Sequence, residues 1–157
     1  MTIRRHLRAL YAAAAGLLLI GVGVAVTPGS ASAASATKVS GACSAYHYLN
    51  SKHSLRTHVC SNVYVDFNLR VYATMWTDTF YQSYPDGAWH ISTTSTVNVS
   101  GTLHAYNDGS YSANKTEHDG YVHVTTGKIQ CHVGDYVQAD VSSYYNYVDT
   151  PGWTCRI

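Results

Sequence analysis

Val63-Tyr64-Val65-Asp66-Phe67-Asn68-Leu69-Arg70-Val71-Tyr72-Ala73-Thr74-Met75-Trp76 is the stretch that decides the fold class. Its odd positions are all apolar: Val63, Val65, Phe67, Leu69, Val71, Ala73 and Met75. Its even positions are aromatic, charged or polar: Tyr64, Asp66, Asn68, Arg70, Tyr72, Thr74 and Trp76. Successive side chains of an extended chain point to opposite faces, so a period of two predicts one long half-buried strand. The odd face is then a core face, and the even face is the first candidate for a working surface.

The same parity recurs downstream. Trp89, Ile91, Val97, Val99, Gly101, Leu103 and Ala105 share one face over residues 89–105, too long a run for a single ordinary strand. Gly101 is the expected bulge, or the bend where the chain passes to a second sheet. Val137, Ala139, Val141, Ser143, Tyr145 and Tyr147 repeat the pattern over 136–147. Shorter strands are predicted near 43–50, 77–84, 121–126, 128–133 and 153–156. Residues 111–120 read as a polar loop or edge hairpin. Pro85-Asp86-Gly87, Asn107-Asp108-Gly109-Ser110, Gly134-Asp135 and Asp149-Thr150-Pro151-Gly152 supply the turns. No segment of 34–157 carries apolar residues at helical spacing over three turns. The expected fold is all-β, a two-sheet β-sandwich of Greek-key kind or an irregular barrel, with seven or eight strands.

Residues 1–33 are expected to stand apart from this fold. Arg4, Arg5 and Arg8 precede the uncharged apolar run 9–26, Pro28 breaks it, and Ala31-Ser32-Ala33 offers a small-x-small cleavage site. That order is the pattern of a cleaved secretory signal peptide. The run is about long enough to cross a bilayer, but no basic cluster follows it, so export is expected rather than anchoring, with no membrane association afterwards. Residues 34–42 read as a flexible lead-in and 43–157 as a single β-domain.

Without the three signal arginines, seven Lys and Arg face nine Asp and Glu, a formal charge of −2. A nucleic-acid partner is not expected, because neutralising phosphates takes a clustered basic surface. All four cysteines, Cys43, Cys60, Cys131 and Cys155, lie in the exported part. An even count in a small secreted domain predicts two disulfides. Cys43–Cys60 and Cys131–Cys155 are favoured because each closes a short local loop. No close cysteine pair suggests zinc, and no cofactor signature is present.

Three sites compete. The even face, Tyr64, Asp66, Asn68, Arg70, Tyr72 and Trp76, combines ring surfaces with hydrogen-bonding neighbours, as binding interfaces do. The loop closed by Cys43–Cys60 holds Lys52 and Arg56, either of which would suit a trypsin-like protease pocket, making the protein an inhibitor. Glu117-His118-Asp119 would be the acid–base group of a small hydrolase or nuclease. No basic cluster accompanies it to hold a phosphate. The eight histidines beyond the signal segment lack H-x-H or H-x-x-x-H spacing, so they read as surface residues and no metal is expected. The leading expectation is a secreted, non-catalytic module that binds another extracellular macromolecule, a protein partner or the other subunits of an assembly before a polysaccharide.

Overall fold

Residues 63–76 form the two arms of a hairpin rather than one strand. The computed structural model describes residues 35–156; the expected signal segment 1–33 lies outside them. In chain order the strands are β1 (Thr37–Cys43), β2 (His47–Tyr48), β3 (Leu55–Val65), β4 (Arg70–Gln82), β5 (Trp89–Ile91) and β6 (Val97–Ala105). They continue with β7 (Gly109–Glu117), β8 (Tyr121–Thr125), β9 (Ile129–Gln130), β10 (Tyr136–Ser142), β11 (Tyr147–Asp149) and β12 (Trp153–Thr154).

The parity of the opening stretch survives its reversal because of the register. Val65 faces Val71 and Val63 faces Ala73, so cross-strand partners differ by even numbers and the odd residues stay on one face. The turn is closed by Asp66. Its Oδ1 accepts from the N–H groups of Asn68 and Arg70, each at 3.0 Å, and its carbonyl accepts from the Leu69 N–H at 3.0 Å. Leu69 takes a positive φ of 54° to complete the loop. Phe67, expected in the core, sits at the tip and is 72% exposed.

All strand pairs are antiparallel, and the two sheets stack as a sandwich without closing into a barrel. The first sheet has seven strands but is only four positions wide. β1 and β2 follow one another along the outer side of β3, while β5, β8 and β9 share the far side of β4. The second sheet runs β11–β10–β6–β7, with β12 beside β11 along the same side of β10. The predicted strand count was too low because these flanking positions are filled piecewise.

The core lies between the sheets. Val59, Val63, Val71, Ala73, Met75, Val122 and Ile129 face Val97, Val99, Leu103, Ala105, Val137, Ala139 and Val141, all buried. Gly101 belongs to a regular part of β6, between Val141 of β10 and Ala113 of β7, and marks no bulge or bend. A Cβ there would meet the Asp140 carbonyl oxygen at 2.3 Å and Met75 Sδ at 2.7 Å, so glycine lets Met75 reach across. The chain crosses between sheets at 92–96 instead, which leaves Ile91 on the outer side of the first sheet, opposite Phe80. The lead-in 34–42 contains most of β1 and the 136–147 run breaks at 143–146, whereas 111–120 is mainly β7, the edge hairpin rather than the loop of the two readings.

Both favoured disulfides are formed. Cys43–Cys60 joins directly opposed residues of β1 and β3, and Cys131–Cys155 ties the end of β9 to the segment after β12. Two disulfides and no free cysteine among the described residues fit an oxidising, extracellular-type environment.

Candidate functional site on the outer face of the first sheet

With the odd residues of β3 and β4 in the core, the even residues form the opposite face of the first sheet. Arg56 lies opposite Phe80, His58 opposite Asp78, Cys60 opposite Trp76, Asn62 opposite Thr74, and Tyr64 opposite Tyr72. Tyr64 and Tyr72 stack at 5.3 Å with ring planes 13° apart, and the Lys128 ammonium lies 5.3 Å from the Tyr72 ring. At the other end Tyr46 stacks on His58 at 4.5 Å, and His58 Nε2 bonds Asp78 Oδ2 at 3.1 Å. Trp76 sits between the two groups. Together with Lys38, Gly41, Ala42, Cys43 and Asn62 it lines an open concavity of about 410 Å³.

Arg56 fixes the upper group. Its guanidinium carbon is 4.0 Å from the Tyr46 ring centre and 3.8 Å from that of Trp89, so the cation is held between two aromatic faces. The residue therefore belongs to β3 and does not project from the Cys43–Cys60 loop, as an inhibitory side chain would have to. Lys52 alone occupies the exposed tip of that loop. Arg56→Ala should cost about 1–2 kcal/mol by urea unfolding, and Arg56→Lys should recover little of it, since an ammonium cannot stack between planar rings.

Of the six residues expected on the even face, the structure brings three together there: Tyr64, Tyr72 and Trp76. Of the other three, Asp66 and Asn68 belong to the turn, and Arg70 begins β4 beside it, its guanidinium bound to Asp66. Asp66 is only 7% exposed and bonds Arg70 Nε at 3.1 Å and Lys128 Nζ at 3.0 Å. Burial works to raise its pKa, but the Lys128 ammonium, the N–H groups of Arg70 and Asn68 and the Arg70 guanidinium outweigh it and bring it to about 2. Asn68 is exposed, and its carbonyl accepts from Gln130 Nε2 at 3.0 Å. Asp66 is thus the joint between the turn and the cations beside Tyr72. Sequence parity could have added Arg56, His58 and Phe80 to the face. Tyr46, Trp89 and Lys128 arrive from elsewhere in the chain and left no such signal.

The remaining candidates do not converge. Glu117 pairs with Lys115 at 2.7 Å, whereas His118 Nδ1 bonds Thr96 Oγ1 at 2.9 Å. Three histidines have carboxylate partners that sequence spacing did not reveal: His58–Asp78, His104–Asp140 at 3.1 Å, and His132 Nδ1–Asp108 at 2.5 Å. With Asp135, the last pair places three ligand-type atoms within 4.8 Å of one another, close enough to hold a cation.

The chain matches no protein-family model, no curated protein and no solved structure.

Proposed function

We propose that this protein is a secreted, non-catalytic binding module that docks another extracellular protein on the outer face of its first sheet. One observation carries this reading: Trp76, Trp89, Tyr46, Tyr64, Tyr72 and Arg56 share one sheet face. Trp, Tyr and Arg are the side chains that dominate binding energy at protein interfaces. Many of them are already fixed by stacking, which lowers the ordering cost of association. Lys38 and Lys128 border the rings and suit a partner with acidic groups at its rim. The disulfides support export, and Glu117 and His118 are bonded to Lys115 and Thr96 rather than to each other.

The test is affinity capture from the culture supernatant of the producing cell, read by quantitative mass spectrometry and followed by titration of the purified partner. Parent protein should enrich one defined partner, and Tyr72→Ala with Trp76→Ala should weaken its binding at least about a hundredfold. Unchanged thermal unfolding would confirm that the double variant is folded. Equal binding by parent and variant would remove this face as the docking surface.

A further inference from the structure

The opposite outer surface, on the second sheet, has different chemistry. Buried Val137, Ala139 and Val141 send Gln138 and Asp140 of β10 outward, between His104 of β6 and Tyr147 and Asp149 of β11. With Tyr106 just beyond β6, these six residues line an open groove of about 230 Å³. Its lining contains no lysine, arginine or aliphatic side chain.

The polar groups are held in place by hydrogen bonds within the groove and to the backbone beside it. His104 Nε2 bonds Asp140 Oδ1 at 3.1 Å, Gln138 Nε2 donates to the Thr150 carbonyl at 3.1 Å, and the Tyr147 hydroxyl donates to Asp149 Oδ1 at 2.5 Å. That last bond keeps the phenol protonated, its pKa pushed up to about 12 by the Asp149 carboxylate. Among the described residues no donor reaches Asp140 Oδ2, Asp149 Oδ2 or Gln138 Oε1. The groove therefore presents three planar acceptors, fixed in orientation, to a ligand rich in donors.

Exposed aromatic rings flank these acceptors. Tyr106 is 51% and Tyr147 61% exposed, one at each side of the groove. Tyr136 lies 5.5 Å from Tyr106 with its ring plane tilted by 52°, and its ring lies over Gly152, where any Cβ would collide with it. Exposed ring faces suit the apolar faces of sugar rings, while the sugar hydroxyl groups supply donors to the carboxylates and the amide.

We propose that this groove binds a neutral polysaccharide chain, with Tyr106, Tyr136 and Tyr147 as stacking platforms and Gln138, Asp140 and Asp149 as hydroxyl acceptors. The site is separate from the face that docks protein, so the two readings stand or fall independently. A module with both would hold a protein partner against a glycan matrix.

Native affinity electrophoresis in gels cast with xylan, mixed-linkage β-glucan, galactomannan, hydroxyethyl cellulose or dextran tests it. At least one polymer should retard the protein. Tyr106→Ala and Tyr147→Ala should each weaken that affinity about tenfold, Asp140→Asn with Asp149→Asn should weaken it further, and Trp76→Ala should leave it unchanged. Thermal unfolding checks that each variant folds. Parent mobility unchanged in all five gels, or retardation that survives both tyrosine substitutions, overturns the proposal. Amide shifts at the groove with spermidine, but none with an oligosaccharide of the retarding polymer, would overturn it in favour of a cationic ligand.

Discussion

Gly101→Val should leave little folded protein at 25 °C, the largest effect expected of any substitution considered. Even the Cβ alone would lie 2.3 Å from the Asp140 carbonyl oxygen and 3.0 Å from the Val141 Cα. Those are backbone atoms of the neighbouring strand, so no rotamer change relieves the contact. Overpacking a fitted core costs about 1–3 kcal/mol when side chains can shift, and here the β6–β10 ladder must move as well. Gly101→Ala should therefore lose about 3 kcal/mol in urea unfolding, and valine, branched at Cβ, more than many small domains have to lose. Met75→Ala should recover only part of the alanine penalty, because it clears the sulfur and leaves the carbonyl. Full recovery would show that Met75 alone sets the need for glycine.

The second large effect is expected at Asp66. Asp66→Ala strips the partner from the N–H groups of Asn68 and Arg70 and leaves Arg70 and Lys128 close together without their shared anion. Losing hydrogen bonds to a charged group of this kind costs about 2–3 kcal/mol. Acid should produce a graded version of the same loss. The folded carboxyl titrates near 2 against an ordinary value of 3.8, so folding favours its ionised form. Its contribution is then complete above pH 3.8 and fades as the pH falls toward 2. NMR titration of the Asp66 side chain should place its midpoint well below those of exposed aspartates. In Asp66→Asn the stability between pH 4 and pH 2 should fall less steeply than in the parent; an equal slope would assign the acid sensitivity to other carboxylates.

The fold class, the sheet count and both disulfides were legible because each rests on a local signal: parity, turn residues and loop length. The hairpin at residues 66–69 was not, because an even register lets a strict alternation run through a reversal unbroken. Phe67 and Leu69 looked inward on parity alone, and nothing local except Asp66 hinted that the chain turns there. Ile91 misled in the same way, since its parity matches β6 although its strand belongs to the other sheet. At the candidate site the sequence revealed Tyr64, Tyr72 and Trp76, which lie on the strands it could see. Tyr46 and Trp89 come together around Arg56 only through tertiary packing, so their partnership could not be read from spacing. The groove on the second sheet was hidden for a related reason. Asp140 and Asp149 become neighbours through a turn at 143–146 that the alternation of 136–147 concealed.

The piecewise filling of the sheet margins has a bearing on how this chain behaves when crowded. An uninterrupted row of unpaired backbone groups is a template on which other chains can zip into fibrils. Both margins of the first sheet and one margin of the second are instead broken into segments of two to seven residues, each ending in a loop. The remaining margin, β7, is longer, but its sequence Gly-Ser-Tyr-Ser-Ala-Asn-Lys-Thr-Glu is polar and carries Lys115 near its end. A domain rich in tyrosine and poor in charge would otherwise be prone to self-association. Its broken margins let it expose tyrosine-rich faces while denying like molecules a continuous seam to join.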